Sequence, residues 1–269
     1  MQFFNWKLLE KTKKRFVFIL FVCKISIFKS YGPLASKNSL GDMDFKTTMK
    51  GMINMELMEA MRKRKSIRSF TAEPVPMDVI KEILSNVCWA PSAMNIQPWE
   101  FMVVKGEKFD LLRAAIVEKT KNGAPIQPDH LMVGWPDKNI YRKRQIDLAK
   151  QLFKAMDIPR EDKKKRDWWL ERGFRFFDAP AAVIIVSNKA LTEAAPLLDI
   201  GAVMQNICRA ALEWGLGILY LEVVRKPTGI PASKRLIIAI ALGYPDSDFP
   251  ANHIRSAREP AESLTTWVD

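Results

Sequence analysis

Four short apolar runs, separated by much longer segments, constrain the fold of this chain more than any other feature. Runs of this length are typical of buried β-strands, because most helices need about ten residues or more. The predicted strands are Phe101–Val104, Ala181–Val186, Gly217–Val224 and Leu236–Leu242. The regular strand–helix–strand alternation of a parallel sheet does not occur between them. The sequence therefore predicts an α+β fold with an antiparallel or mixed sheet.

The segments around these runs carry apolar residues at helical spacing, with charged residues on the opposite face. The predicted helices are Met55–Lys65, the segment from Val79 to Cys88, Lys108–Thr120, Ile140–Met156, Glu161–Gly173 and Leu197–Trp214. The last of these is apolar along most of its length, which predicts a central and buried position. Because it contains several Gly and Pro residues, the stretch Asn122–Pro136 is predicted to be a loop.

The first 54 residues differ from the rest and are predicted to lie outside the domain, which we place at residues 55–269. Basic residues precede the apolar run Phe16–Cys23, which is the order found in secretory signal peptides. A lysine interrupts the apolar stretch, so it is too short for a transmembrane helix of about 20 residues. We favour an upstream extension, with the true start at Met52 or Met55. A signal peptide and a short membrane-surface anchor are the alternatives.

The composition excludes several classes of site. The three cysteines stand far apart and form no CxxC pair or disulfide framework, and two histidines are too few for a His-rich metal site. The net charge is +12, but residues 1–54 hold ten Lys/Arg and three Asp/Glu, so 32 basic and 27 acidic residues, a net +5, remain for the domain. A mildly basic domain suits phosphates and other anionic small ligands. The glycine motifs of Rossmann and P-loop nucleotide sites do not occur.

A basic cluster lies where the first predicted helix gives way to extended chain, at Arg62-Lys63-Arg64-Lys65-Ser66-Ile67-Arg68-Ser69-Phe70. In an extended segment, Arg64, Ser66 and Arg68 point to the same side. Two guanidinium groups and a hydroxyl can then donate several charge-assisted hydrogen bonds to one phosphate. The alternative is a solvated surface, which is the commoner role of such clusters, and the alternating spacing adds weight to the phosphate site.

A second candidate site is the loop from Trp89 to Trp99, in which two prolines frame Ser92, Asn95 and Gln97. Small amide and hydroxyl groups on a stiff loop can bind the polar rim of a planar ring system. The alternative is a plain turn between a helix and a strand, and the three polar side chains make that interpretation less satisfactory.

Together with the C-terminal tail, these motifs resemble the nitroreductase family in their order and rough spacing. By itself the tail, with Arg255, Ser256 and Arg258, is typical of a surface segment. The motifs that carry the resemblance are Arg64-Lys65-Ser66-Ile67-Arg68-Ser69-Phe70, Ala90-Pro91-Ser92 with Asn95-Ile96-Gln97-Pro98-Trp99, Leu242-Gly243-Tyr244-Pro245 and Arg258-Glu259-Pro260. The resemblance extends from about Met55 to the C-terminus. Gly134-Trp135-Pro136 with Tyr141, and the segment from Arg175 to Pro180, are similar to the nitrobenzoate-reductase-like branch.

The resemblance implies a nitroreductase-like fold with a central, mostly antiparallel sheet packed by helices, and a C-terminal arm exchanged across a homodimer. It implies FMN at the subunit interface, with NADH or NADPH as co-substrate and a small aromatic compound, in particular a nitroaromatic one, as substrate. Hydride would pass through flavin N5, so no protein nucleophile or general acid is needed, and one shared site predicts ping-pong kinetics. The nicotinamide co-substrate implies a cytoplasmic protein, with neither nucleic acid nor a stable membrane partner.

The resemblance also implies roles for individual residues. The residues expected to hold the FMN phosphate and ribityl chain are Arg64, Lys65, Ser66 and, from the tail, Arg255 and Arg258. The residues expected to line the flavin ring of the other subunit are Pro91, Ser92, Asn95 and Gln97. Arg68 is expected near the ribityl chain and the pyrimidine edge of the flavin, and Arg175 near a flavin carbonyl. A cation at the pyrimidine edge stabilises the anionic reduced flavin and so tunes its potential.

Two departures from the family pattern bear on activity. Many members carry a Glu-Gly pair beside flavin N5, whereas this chain has Glu222 and Val223, and the larger side chain could alter the approach to N5. The link from Val224 to Gly229 is short, and the proline within Arg225-Lys226-Pro227-Thr228 prevents the helix that relatives have there.

Several functions remain open on the sequence alone. The same fold could reduce quinones, enones or free flavin, or bind flavin without turnover. Substrate choice is expected to depend on the loop Gln127–Tyr141 and on Trp168, Trp169 and Phe174, although these three aromatic residues could equally belong to the core. The basic run Lys163–Arg166 could indicate nucleic-acid binding, but it is more typical of a solvated helix face.

Overall fold

The sheet of this computed structural model contains all four predicted strands. The structure describes residues 55–122, 129, 138–192, 194–221 and 229–268. The strands are β1 (Glu100–Lys105), β2 (Ala181–Asn188), β3 (Gly217–Leu221) and β4 (Lys234–Gly243). Within the described ranges they form one sheet of order β1-β2-β4-β3, in which every neighbouring pair is antiparallel. The predicted α+β class and mostly antiparallel sheet are confirmed.

The helices lie within a few residues of their predicted positions. They are α1 (Leu57–Lys63), α2 (Met77–Val87), α3 (Gly106–Lys121), α4 (Ile140–Ala155), α5 (Lys163–Phe174) and α6 (Ala194–Glu213). Two of the starts have a clear local cause. The side chain of Asn139 accepts a hydrogen bond from the backbone N–H of Arg142, and Asp162 does the same for Lys165, so each caps a helix N-terminus.

The two faces of the sheet pack against different helices. Successive residues of a strand point to opposite faces, so β2, which is buried except at its last residue, contributes to two cores. Ile184 packs in a core with residues of α3, α4 and α5, such as Phe109 and Trp169. Ile185 packs on the other face, in a core with residues of α2 and α6, such as Ile80 and Ile207. The sheet is therefore the middle layer of three.

Helix α6 differs in one respect from its predicted position. It was expected to be central and buried, and it buries one face, with Ile200, Val203, Ile207 and Ala211 at helical spacing in the core. Leu198, on another face, is 78% exposed in this single chain. An apolar sequence alone does not distinguish burial in the subunit core from an apolar face left exposed on a single chain.

An extended segment at residues 66–71 runs along the edge of the sheet and carries two of the predicted FMN-binding residues, Ser66 and Arg68. The backbone N–H of Ile67 donates to the carbonyl of Ile218 on β3, at 3.0 Å. Farther along, the N–H of Thr71 donates to the carbonyl of Tyr244, just after β4, at 2.9 Å. Ile67 and Phe70 are buried on the core side. The sheet and the core therefore fix the direction in which the intervening polar side chains point.

Some predicted features lie outside the described residues. These are the extension at 1–54, nearly all of the loop at 122–136, and the segment 222–228 with Glu222 and Val223. Among the helices of the described ranges, none has the length and apolar content needed to cross a bilayer.

Candidate functional site

A cleft of about 280 Å³ brings together two sequence motifs that are nearly two hundred residues apart. We call it the basic cleft. The described residues that line it are Met61, Arg62, Arg64, Lys65, Ser66, Arg68, Leu148, Ile254, Arg255, Ser256 and Arg258. Six of these are Arg or Lys, and none is acidic. The cleft therefore offers a dense set of cationic donors, to which an anion with several oxygens is the complementary ligand.

The N-terminal arm of the basic cleft forms where α1 ends. Arg64 leaves the helix with extended backbone angles, φ −55° and ψ 124°, and the chain then joins the edge of β3 at Ser66. Ile67 is buried, and its two neighbours, Ser66 and Arg68, line the cleft. The predicted grouping of Arg64, Ser66 and Arg68 on one side is thus present, with Lys65 at the same cleft.

Arg68 is the most enclosed of the cations in this arm. Its Nη1 donates to the carbonyl of Ser66 at 3.2 Å, and the side chain is half-buried. Burial lowers the pKa of the Arg68 guanidinium from its usual value, because a charged group loses hydration there. An arginine still keeps its charge at neutral pH. A partly desolvated cation gains more from an anionic partner than a fully hydrated one does, which favours anion binding beside Arg68.

The C-terminal arm of the basic cleft comes from the tail. Arg255 and Arg258 line the cleft, and Nη1 of Arg258 donates to the Ser256 hydroxyl at 2.7 Å. The next residue, Glu259, accepts from Arg144 of α4 at 2.9 Å, which ties the tail to the body of the subunit. The sequence placed these arginines in a tail that is typical of a surface when taken alone. The structure shows that the tail forms one wall of the cleft.

Two residues that the sequence did not single out hold Arg68 in place. The buried amide of Asn252 accepts from the backbone N–H of Arg68 at 2.6 Å. Arg172 of α5 donates from Nη2 to the carbonyl of Arg68 at 3.2 Å. Asn252 lies in an unremarkable polar turn, and Arg172 lies in a charged helix. Nothing local in the sequence distinguishes either from a surface residue.

Arg172 is itself held by rings and by a carboxylate. Its guanidinium lies 5.4 Å from the ring of Trp168 and 5.0 Å from that of Phe249, and it is 3.3 Å from Asp178. Burial lowers the pKa of Arg172, and the negative charge of Asp178 opposes that change. Trp168 is 42% exposed and contacts Arg172, whereas Trp169 is in the core, so a part for Trp168 in substrate choice stays a prediction.

The second motif forms a loop in which the polar side chains are held by one another. The hydroxyl of Ser92 accepts from the backbone N–H of Gln97 at 3.1 Å, and Nε2 of Gln97 donates to Oδ1 of Asn95 at 2.9 Å. These residues and Pro91 do not line the basic cleft of the same chain. Met94, between them, is 95% exposed. Their predicted role, against the flavin of the other subunit, stays a prediction.

Arg175 also lies away from the basic cleft. Its guanidinium forms a pair of hydrogen bonds with Asp178, at 2.8 and 3.1 Å, and a third with Glu171 at 3.0 Å. The hydrogen bond and the charge of Asp178 raise the pKa of Arg175. Its predicted position near a flavin carbonyl stays a prediction. A spacing of four residues between Glu171 and Arg175 on a helix is the sequence signal for the ion pair that forms.

Asp199 anchors the second motif to α6, and its replacement should loosen that loop. Both carboxylate oxygens of this buried residue accept from the N–H of Ala93, at 3.2 and 3.3 Å. Asp199→Ala should lower the free energy of unfolding in urea by about 1.5 kcal/mol, the usual contribution of a charge-assisted hydrogen bond. Asp78→Ala, which removes an exposed carboxylate paired with Lys81, is the matched control and should change it by less than about 0.5 kcal/mol. Equal effects of the two substitutions would contradict the anchoring role.

The chain is similar to known proteins along most of its length. The model of the "Nitroreductase family" matches residues 61–244. The chain is 32% identical over 219 residues to nitrobenzene nitroreductase of Ectopseudomonas oleovorans, which covers 78% of this chain and 96% of that protein. It is equally similar, with the same coverage, to chloronitrobenzene nitroreductase of Comamonas testosteroni.

A solved structure shows the same fold. The FMN and NADPH-dependent nitroreductase NfnB from Sphigopyxis sp. strain HMH superposes with a TM-score of 0.76 at 24% identity, and the match covers 80% of this chain and all of that one. Because the family model covers more than half of the chain and two relatives at 32% identity match 78% of it, the resemblance is confirmed. The chain belongs to the nitroreductase family.

Proposed function

We propose that this protein is an FMN-dependent oxidoreductase that uses NADPH or NADH to reduce nitroaromatic compounds. The observation that carries the proposal is the basic cleft, in which cationic residues of the N-terminal and C-terminal arms converge. The family predicts that these motifs hold the FMN phosphate. The structure brings together the residues to which the sequence assigns that role.

The donor set of the basic cleft fits a phosphate monoester. A phosphate presents three oxygens that accept charge-assisted hydrogen bonds, and guanidinium groups match that geometry with paired N–H groups. Arg68 and Arg258 lie in opposite arms of the cleft, and Ser66 adds a hydroxyl donor. With six cations and no acidic residue among those that line it, the cleft is not self-neutralised. A bound phosphate therefore gains attraction without displacing a carboxylate.

The size of the basic cleft indicates that it holds only part of FMN. Its volume of about 280 Å³ lies just below the range of roughly 300–1,000 Å³ for sites that enclose a whole small ligand. We infer that the phosphate and the adjoining chain occupy it, while the ring extends to another surface. The exposed loop with Ser92, Asn95 and Gln97 has the polar groups for that surface, and in a homodimer a second copy supplies it.

In this arrangement the protein binds and orients rather than reacts. When bound, FMN supplies the ring that accepts hydride from the nicotinamide and passes it to the substrate. Arg64, Lys65, Arg255 and Arg258 neutralise the phosphate. Arg68, on the half-buried side of the same cleft, is proposed to contact the phosphate as well, which differs from the position near the ribityl chain and the pyrimidine edge that the family resemblance implies. The backbone of Arg68 is held at both its N–H and its carbonyl, so its side chain starts from a fixed position.

The named activities of the relatives support the choice of substrate. Two proteins at 32% identity reduce nitrobenzene and chloronitrobenzene according to their names, and the NfnB structure is of an FMN and NADPH-dependent enzyme. All three share most of this chain's length. We therefore place a small nitroaromatic compound first among the substrates that the sequence left open. We also propose the cytoplasm as the location, because that compartment supplies reduced nicotinamide cofactors.

The proposal predicts two separable half-reactions. The purified full-length protein, loaded with FMN, should lose its visible flavin absorption when NADPH or NADH is added without oxygen. The absorption should return when nitrobenzene is added, and steady-state rates should follow ping-pong kinetics because both substrates use one site. The measurement is stopped-flow absorption in the flavin band, with NADPH and NADH compared at equal concentration.

Three outcomes would contradict parts of this proposal. A protein that takes up no FMN would contradict the cofactor. A bound flavin that keeps its absorption with both nicotinamides would contradict the reductase activity and leave a flavin-binding protein. A reduced flavin that a quinone reoxidises but nitrobenzene does not would contradict the substrate class alone.

A further inference from the structure

The amide of Asn252 is one of four polar or charged side chains in the described ranges that are buried in the subunit. It is 3% exposed, and both ends of the amide are used. Oδ1 accepts from the backbone N–H of Arg68 at 2.6 Å. Nδ2 donates to the carbonyls of Ser69 and Asp246, each at 2.8 Å. A buried amide that is fully hydrogen-bonded fixes its neighbours tightly, because breaking any of these bonds leaves a polar group without water.

These hydrogen bonds join the two arms of the basic cleft. Arg68 belongs to the N-terminal arm, and Asn252 precedes Arg255 of the C-terminal arm by three residues. Asp246 follows β4 and is tied to the same segment, since its N–H donates to the carbonyl of Ser69 at 3.1 Å and its carboxylate accepts from the Ser69 hydroxyl at 3.1 Å. Asn252 is thus the side chain through which the start of the tail is bonded directly to the backbone of Arg68.

The bonds act on the backbone of Arg68 and leave its guanidinium available. The N–H is held by Asn252 and the carbonyl by Arg172, so the peptide groups on both sides of Arg68 are fixed. The guanidinium donates to the carbonyl of Ser66 from Nη1 and lines the basic cleft. If the Asn252 hydrogen bonds were lost, the Arg68 side chain would no longer be held in one direction. The distance between Arg68 and Arg255 would also no longer be fixed.

We propose that Asn252 is a positioning residue that sets the distance between the two cationic arms and thereby the affinity of the cleft for the phosphate group of its ligand. The inference rests on the proposed function for the identity of that ligand, FMN. Asn252 does not line the cleft, so it can act on the ligand only indirectly, by positioning Arg68 and the tail. Its effect should therefore be specific to the phosphate and should not extend to the flavin ring.

The test compares ligands that differ only in the phosphate. Asn252→Ala removes the amide, and Asn252→Leu removes it while keeping a side chain of similar size in the buried position. For each full-length protein we would measure the Kd of FMN and of riboflavin by quenching of flavin fluorescence. The Kd of inorganic phosphate, by calorimetry on the apoprotein, gives a third value that does not involve flavin. Ile80→Ala, in the core on the opposite face of the sheet, is the control for general loss of stability.

We expect the Kd of FMN and of phosphate to rise about tenfold or more in both Asn252 variants, as for the loss of one well-directed charged contact. The Kd of riboflavin should stay within about twofold of the wild-type value. Ile80→Ala should leave the Kd values of FMN, riboflavin and phosphate within the same limit. A merely structural role would weaken FMN and riboflavin by the same factor, and that result would overturn the inference. So would FMN and phosphate affinities that match the wild type, or two variants that both fail to fold.

The experiment distinguishes a wrong cofactor assignment from a wrong role for Asn252. If the wild-type protein binds phosphate but neither flavin, the cofactor assignment is wrong. The tenfold change in phosphate affinity then decides the role of Asn252. A wild-type protein that binds neither phosphate nor FMN would overturn the inference, because the cleft would then not bind the anion whose affinity Asn252 is proposed to determine.

Discussion

Replacing both Arg68 and Arg258 with glutamine should weaken the binding of FMN by about a thousandfold. The two guanidinium groups lie in opposite arms of the basic cleft, so we expect a phosphate bound there to contact both. A hydrogen bond to a charged group contributes about 1.5–3 kcal/mol, and two such losses, roughly 4 kcal/mol, correspond to three decades in Kd. Arg68 should account for the larger share, because burial leaves its charge less compensated by water.

The double variant should remain folded. Arg258 is exposed, and its hydrogen bonds are all to neighbouring residues of the tail. Arg68 is held in the fold by its backbone rather than by its guanidinium. Removing a partly desolvated cation costs little when no buried carboxylate is left unpaired, and the only hydrogen bond that the Arg68 guanidinium makes among the described residues is to a carbonyl. The loss of affinity should therefore appear without a comparable loss of stability.

A control with the same change in net charge separates the local effect from the general one. Lys81→Gln combined with Lys163→Gln also removes two positive charges, from exposed helix positions paired with Asp78 and Asp167. FMN titrations at low and at moderate salt should show nearly wild-type affinity for this control. If the control and the Arg68/Arg258 variant lost affinity equally, the basic cleft would not be the phosphate site.

The strands and most of the helices could be predicted because their signals are local. An apolar run such as Ala181–Val186 has no arrangement that buries it better than a central strand, and the structure places it in the middle of the sheet. Helices α4 and α5 begin at residues with capping side chains, Asn139 and Asp162. The order of the strands, β1-β2-β4-β3, did not follow from these signals, since it depends on which faces the helices cover.

The N-terminal arm of the basic cleft could be predicted from local spacing, but the tail could be joined to it only through the family resemblance. The alternation at Arg64, Ser66 and Arg68 is a local signal of donors on one side of an extended chain. The tail has no such signal, and its arginines become part of a site only because the chain returns to the same place. Long-range hydrogen bonds achieve this, above all between Asn252 and Arg68, which are 184 residues apart. Single residues of this kind carry no period or motif in the sequence.

The charged helix α5 carries a local signal for an ion pair, because Glu171 and Arg175 are four residues apart. Arg175 was assigned to the flavin from its position in a family motif. In the structure it is the last member of an ion-pair set with Glu171 and Asp178, at the end of α5. The neighbouring Arg172, one turn earlier, is the cation that contacts the cleft segment. The local spacing explains the ion pairs of Arg175, whereas the contact of Arg172 with residue 68 is long-range and has no such signal, and the predicted place of Arg175 near the flavin stays a prediction.

Gly217 of β3 packs against Ile67, which lies between the cleft residues Ser66 and Arg68. Its replacement should therefore affect both stability and FMN binding. A Cβ at this position would collide with Cγ1 of Ile67 and would lie 2.9 Å from Cγ of Pro245 and 3.0 Å from Cβ of Ile67. Ile67 is buried between Ser66 and Arg68 and cannot move without displacing them. Gly217→Ala should therefore lower the free energy of unfolding by about 2–3 kcal/mol, as overpacking in a core does.

The displacement of Ile67 should also weaken FMN binding, which an ordinary core defect would not do. The matched control is Gly173→Ala, in helix α5, where the nearest atom to a new Cβ is an ordinary 3.8 Å away. That change should raise stability by up to about 1 kcal/mol, because alanine favours the helix more than glycine does. Urea unfolding and FMN titration of the two variants would show opposite changes in stability. A Gly217→Ala protein with wild-type FMN affinity would mean that residues 66–68 can shift without disturbing the phosphate contacts, and the rigid link between sheet and cleft would be wrong.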